Sequence, residues 1–217
     1  EHERLLNYVL HKSIKESKIK ITDINLISVT NGPGLSGALL TGVSFAKGLA
    51  LGLNIPIIPI NHLEAHIFSN FLADPSLKYP FVCLLVSGGH TQLWHVEGFE
   101  KYELLGETRD DAAGEAFDKG ARIFGLKYPG GPEIEKHSIG GNPRAHQFPR
   151  GLISNESLEF SFSGLKTSLL YFMDNFQESK SIKRRDIIAS YQQAIIDTLV
   201  EKMKRSIAKT KVKNCVI

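Results

Sequence analysis

Cysteine, methionine and tryptophan are scarce, with two Cys, two Met and one Trp in 217 residues. Two thiols cannot build a disulfide framework, and both Cys83 and Cys215 sit in apolar runs, VCLLV and NCVI. They read as buried free thiols of a reducing compartment, which excludes a cysteine-stapled secreted scaffold. Long unbroken apolar runs are also lacking. The nearest, GALLTGVSFAKGLALGL, is interrupted by Lys47 and several glycines and is expected not to span a bilayer. No signal-peptide or lipidation pattern is present, so the expectation is no membrane and a cytoplasmic location. Nor does one sign of charge dominate: 26 Lys and Arg against 23 Asp and Glu leave +3, too little to announce a nucleic-acid partner.

What is present is an ordinary globular composition, 42% apolar and 23% charged, with the alternating helix and strand signals of a mixed α/β chain. A helix over about 3–17 carries the stripe Leu5, Leu6, Val9, Leu10 and Ile14. A strand at 24–30, a glycine-rich turn, a long helix ending near Gly52, a short buried strand IIPI and a helix from His62 to about Phe71 follow. The turn-rich segment ADPSLKYP marks a boundary between units 1–76 and 77–217. Beyond it, FVCLLV, TQLWHV and YELLG read as a three-stranded meander. A helix over about 110–125 has Thr108 spaced for a capping box with Asp111. A loop-rich stretch covers 128–159, a helix capped by Ser163 follows, and a last helix over about 184–209 precedes a strand, VKNCVI. The sequence starts inside a helical pattern and stops inside a core-strand pattern, so further segments are expected at both ends. Between Phe176 and Ile217, ten Lys and Arg face four acids, read either as a solvated helix face or as a phosphate-contacting surface.

Several constellations carry chemistry. In His62-Leu63-Glu64-Ala65-His66 the two imidazoles are four residues apart and share a helix face, so both can reach one metal ion; otherwise they are unrelated histidines near a helix start. Glu64 points off that face, and the pattern is not HExxH, so zinc-peptidase chemistry is not indicated. Ser87-Gly88-Gly89-His90 after an apolar strand is a hairpin turn that can also cradle phosphate oxygens. Asp111, Glu115 and Asp118 form an acidic stripe, either paired on the surface as Glu115–Lys119 and Asp118–Arg122 or offering a carboxylate to a ribose. Tyr128-Pro129-Gly130-Gly131-Pro132 is a tight turn or a close backbone approach to a ligand, and Lys166 reads as a surface residue. Asn31-Gly32-Pro33-Gly34 opens a helix that could face an anion, or serves only helix packing. No Ser/His/Asp or Cys/His arrangement is evident, and no catalytic base can be named.

In this order, NGPGLSGALLTGVSFAKGLA, NHLEAH, VSGGHTQL, GETRDDAAGEAFDKGARIFGL, YPGGPEIEK and FSFSGLKTS resemble the universal tRNA threonylcarbamoyltransferase family, in its bacterial or organellar branch, over essentially the whole chain. The resemblance implies an actin-like ATPase fold of two α/β lobes around a cleft. It implies transfer of a threonylcarbamoyl group from threonylcarbamoyl-adenylate to an adenosine beside the anticodon of tRNA. By position it implies His62 and His66 as ligands of one divalent ion, Fe2+ or Zn2+. It implies Leu85, Val86, Ser87, Gly88, Gly89, Asp118 and Gly131 as substrate-binding residues, with Glu135 where many members have Asp. It implies as partners tRNA, a non-catalytic paralogue and a small ATPase. An N-terminal strand with a first phosphate turn, a C-terminal adenosine-binding turn and a third metal ligand are expected outside this sequence, leaving the fragment poorly active. A non-catalytic scaffold relative, or a kinase or ATPase of the same fold, is the competing reading.

Overall fold

The computed structural model describes residues 2–153, 156–179 and 181–217, and the chain divides into two compact units, Glu1–Pro75 and Ser76–Ile217. In the first, β1 (Ile27–Gly32) and β2 (Ile57–Asn61) pair in parallel, joined by α2 (Ser36–Leu53). α1 (His2–Ser17) packs on α2, and α3 (His62–Ala73) follows β2 directly. The IIPI strand is not buried: Ile58 is 44% exposed, because the described sheet has only two strands and both lie at an edge. α2 also departs from expectation. By length and composition it is the one described helix apolar enough to cross a membrane, yet it packs on β1 as a sheet-covering helix does.

The second unit is built on a four-stranded sheet, ordered β5-β4-β3-β6. Here β3 (Phe81–Val86), β4 (Thr91–Gly98) and β5 (Lys101–Glu107) form the antiparallel meander, and β6 (Asn214–Val216) joins β3 in parallel. The uninterrupted apolar run of β3 is that of a strand covered on both faces. Phe81 and Val82 have no exposed surface, and burial pushes the Cys83 thiol up to about 12. Cys215 is exposed instead of buried, because β6 is the edge strand.

Four helices pack on each other, α4 (Ala113–Ile123), α5 (Gly130–Ser138), α6 (Ser163–Asp174) and α7 (Arg184–Thr210), and α7 packs on β3 and β4. α5 falls within the stretch read as loop; its Gly-Gly-Pro opening hides a first helical turn, where proline costs nothing because its N–H would be unpaired. The core runs from Val82, Leu84 and Leu93 through Ala116, Phe124, Ile134 and Phe160 to Ile187, Tyr191 and Ile195 of α7. The Tyr191 hydroxyl donates to the Ala116 carbonyl at 2.8 Å, tying α7 to α4, and burial raises its pKa.

The basic segment is neither simply solvated nor simply a phosphate surface. Lys202 is fully buried, and its ammonium donates to the carbonyls of Leu152 at 2.6 Å and Ser157 at 2.5 Å. Arg205 donates to the Ile153 carbonyl at 2.7 Å, and Arg184 donates to that of Phe124. These cations tether loops to α7. Lys180 of the same segment lies outside the described residues.

Both expected helix caps are replaced. Thr108 donates its hydroxyl to the Asp111 carbonyl, and α4 is capped by the Glu115 carboxylate, which accepts the Ala112 N–H at 3.0 Å. Ser163 does not cap α6. Asp110, from the loop before α4, accepts the N–H groups of Phe162 at 2.8 Å and Ser163 at 3.2 Å and the hydroxyls of Ser161 and Ser163 at 2.5 and 2.9 Å. Burial raises the Asp110 pKa, but these donors outweigh it and the net shift is downward. Charge at Asp110 therefore stabilises the fold above the ordinary carboxylate range, and this is lost as pH falls through the lowered value. Asp110→Ala is expected to cost about 1–2 kcal/mol, in the range of a lost helix cap. Asp110→Asn is expected to flatten the acid limb of stability, and urea unfolding between pH 3 and 7 measures both.

Candidate active site

The site of the second unit is organised by one contact. The turn Ser87–His90 closes on itself: the Ser87 N–H donates to the His90 carbonyl at 2.8 Å and the His90 N–H to the Ser87 hydroxyl oxygen at 3.0 Å. It then lies against the first turn of α4, where the Gly114 N–H donates to the Ser87 carbonyl at 3.3 Å. A Cβ at Gly114 would sit 2.7 Å from Gly88 Cα and from the Ser87 oxygen, so no side chain fits there. Thr91 completes the joint by accepting the Ala113 N–H at 2.8 Å through its hydroxyl.

This joint decides which donors are left for a ligand. The Ala112, Ala113 and Gly114 N–H groups at the start of α4 are all used internally. Among the described residues, the amides of Gly88 and Gly89 have no partner within the chain. A Cβ at Gly88 or Gly89 would meet nothing within 4 Å, so the fold does not require glycine there by contact, and both peptides face open space. Two neighbouring amides left open are the kind of donor that an anion-binding turn uses. Leu85 is buried in β3 beneath this turn, and Val86, at its edge, is 38% exposed.

One turn along α4 lies the second expected group. Asp118 does not pair with Arg122; its Oδ1 accepts the Gly130 N–H at 2.7 Å. Gly130 is pressed against α4 as closely as the serine–glycine turn is, since a Cβ there would lie 2.6 Å from Asp118 Cα. Gly131, by contrast, opens to space. Asp118 thus anchors the start of α5 with one oxygen, and among the described residues its other oxygen takes no hydrogen bond within the chain. The exposed Glu135 is four residues from Gly131 on the same helix face. Ser87–Gly89, Asp118, Gly131 and Glu135 are therefore brought to α4 and the start of α5.

Sequence reasoning missed the residues that make this possible. Gly114 and Gly130 are needed for close approach, and Asp111 is held by Lys119 and, at 3.3 Å, by Lys166. Lys166 is thus not simply a surface residue; it links α6 to the loop before α4. The signal for Gly114 was a glycine in a helix's first turn, where alanine would be favoured by propensity.

The first unit carries the histidine pair. Asn61 caps α3, its side-chain oxygen accepting the N–H groups of Leu63 at 2.9 Å and Glu64 at 3.2 Å, which fixes His62 as the first helical residue. His66 comes one turn later. The two Nε2 atoms are 3.3 Å apart, with ring centroids 4.5 Å apart and planes at 68°. Two imidazole nitrogens on a tetrahedral zinc ion sit about 3.3 Å apart, from bonds of 2.0–2.1 Å. The same distance suits an N–H···N hydrogen bond between neutral rings. Among the described residues no cluster of three or more His, Cys, Asp or Glu supplies a fuller ligand set.

The chain is a mixed α/β protein in which two open amides between a strand and a helix start lie one turn from a carboxylate. The family model described as tRNA N6-adenosine threonylcarbamoyltransferase matches residues 1–217, and the chain belongs to that family. Its fold is of the actin-like ATPase type, with which the mixed α/β content agrees. Relatives of that name include one from Desulfitobacterium hafniense, 48% identical over 218 residues, covering 100% of this chain and 64% of the relative. Another, from Thermosipho melanesiensis, is 52% identical over 212 residues, covering 98% and 64%. The chain thus spans about 64% of the length of these relatives. Among solved structures, YeaZ from Pseudomonas aeruginosa is 14% identical with a TM-score of 0.36, covering 48% of this chain and 50% of that one.

The geometry separates two kinds of glycine. Gly114→Ala should clash with backbone that cannot rotate away, lowering stability by about 1–3 kcal/mol, the usual cost of overpacking. Gly88→Ala should leave the melting temperature within about a degree or two of the parent, because no atom opposes it. Calorimetric melting of the two variants checks the distinction.

Proposed function

We propose that the full-length protein containing this chain transfers the threonylcarbamoyl group of threonylcarbamoyl-adenylate to the exocyclic amine of an adenosine. That adenosine lies beside the anticodon of tRNAs reading codons that begin with A, and AMP is released. The observation that carries the reading is the packing of the Ser87–Gly89 turn and of Gly130, beside Gly131, along α4 next to Asp118, in a chain matched end to end by this family.

The chemistry follows from where charge moves. The amine nitrogen forms a bond to the carbamoyl carbon, the bond from that carbon to the phosphate oxygen breaks with its electron pair leaving on AMP, and the amine gives up one proton to solvent or to the departing phosphate. Negative charge grows on the departing AMP phosphate. The fixed amides of Gly88 and Gly89 stabilise that charge without reorganising, because the turn is already locked on α4. The oxygen of Asp118 not used by Gly130 accepts a ribose hydroxyl, and Glu135 offers a second carboxylate from α5. Leu85 and Val86 support the turn from below.

His62 and His66 fit a shared divalent ion, zinc or iron, as two of its ligands. Such an ion supplies Lewis-acid polarisation of substrate oxygens. What the two residues themselves contribute is a pair of ring nitrogens 3.3 Å apart at the start of a helix whose first turn the Asn61 cap fixes.

The working partners in this reading are tRNA, a non-catalytic paralogue and a small ATPase. Exposed apolar side chains on α1 and α2, among them Leu5, Val9, Leu40 and Leu51, offer a surface for a protein partner. The place of action is the cytoplasm, where the tRNA is.

Full-length protein with its helper proteins, unmodified tRNA and threonylcarbamoyl-adenylate should produce threonylcarbamoyladenosine, detected by nucleoside mass spectrometry. His62→Ala and His66→Ala should each reduce bound metal and lower product by at least about tenfold. Full yield in both variants would remove the metal from the account.

A further inference from the structure

Beside Asp118, the outer face of α4 and the loop that follows it form a shallow groove of about 290 Å³. It is lined by Glu115, Asp118, Lys119, Arg122, Lys127 and Tyr128, together with Leu126. Its two acids and one of its cations are already engaged. Glu115 caps α4 and lies 3.8 Å from Lys119, Lys119 is paired with Asp111, and Asp118 holds the Gly130 N–H. Arg122 and Lys127 are exposed and, among the described residues, pair with no acid. Tyr128 next to them is 83% exposed, a large aromatic ring with no packing role in the core.

Unpaired cations flanking an exposed ring are what a single-stranded nucleic acid requires. Phosphates need positive charge, and an unstacked base needs a flat apolar face. We propose that Arg122, Lys127 and Tyr128 form a docking surface for the tRNA anticodon loop, Arg122 and Lys127 meeting phosphates and Tyr128 stacking on a base. The inference rests on the transfer reading for the identity of the RNA. The groove's position supports it, because Asp118 both lines the groove and belongs to the proposed adenylate site, so a loop held here lies beside the group it must receive. None of the three residues is needed to hold the adenylate turn.

The test is binding of unmodified tRNA by the full-length protein with its helper proteins, followed by fluorescence anisotropy across a salt series, with AMP binding measured in parallel. Arg122→Glu/Lys127→Glu should weaken tRNA binding by about tenfold or more and reduce the slope of log affinity against log salt by about two. Arg122→Gln/Lys127→Gln should show the same slope loss without reversing charge. Tyr128→Ala should weaken binding by about tenfold with the slope unchanged, because stacking releases no counterions. AMP affinity should remain that of the parent in all of them. Parental tRNA affinity and slope in the charge variants would overturn the proposal, as would an equal loss of AMP affinity, which would make the cations part of the adenylate site. A parent that transfers the group while its variants bind tRNA normally would sink this surface alone. A parent that binds tRNA through the groove but forms no product would sink the transfer reading.

Discussion

Ser87 and Gly88 touch the first turn of α4 backbone to backbone, and the rest of the site depends on this contact. Because Gly114 has no side chain, strand β3 can deliver its turn onto the helix start, and the Gly114 and Ala113 amides are consumed in holding it there. The helix N-terminus is therefore structural. The donors left over are the two glycine amides of the turn. Gly130 repeats the arrangement one turn later, and the carboxylate that receives its N–H is Asp118. Two close approaches to one helix thus hold the serine–glycine turn and the Asp118 carboxylate at a fixed spacing along α4.

The support behind that helix is polar as well as apolar. Asp110 caps α6 and Asp111 gathers Lys119 and Lys166, so adjacent acids in one loop bind two different helices. From the other side, Tyr191 of α7 reaches the Ala116 carbonyl, and Lys202 and Arg205 hold the carbonyls of Leu152, Ile153 and Ser157. Buried cations donating to backbone oxygens satisfy both partners, which is how a lysine with no exposed surface can be tolerated.

Much of this was readable from the chain, for physical reasons that differ by element. The meander showed itself because FVCLLV is too apolar for an exposed strand and the SGGH turn follows it at once. The histidine pair was legible because four-residue spacing on a helix has one geometric outcome. α5 was not, since two glycines and a proline look like a turn whether or not a helix follows. The caps were misassigned because local spacing competes with distant donors and acceptors. Asp110 reaches residues more than fifty positions away, and no window on the sequence contains both ends. Cys215 misled for a related reason: an apolar strand pattern does not say whether the strand is central or at an edge. Likewise Arg122 and Lys127 could not be told from ordinary surface charge until their neighbours were known to be engaged elsewhere.

In the proposed reading the open amides of Gly88 and Gly89 and the spare oxygen of Asp118 hold one nucleotide. A crystal structure of the full-length protein with AMP bound puts this to the test. Phosphate oxygens are expected within hydrogen-bonding distance of both glycine amides, with a ribose hydroxyl on Asp118. A nucleotide seated elsewhere, with the serine–glycine turn facing only solvent, would contradict it.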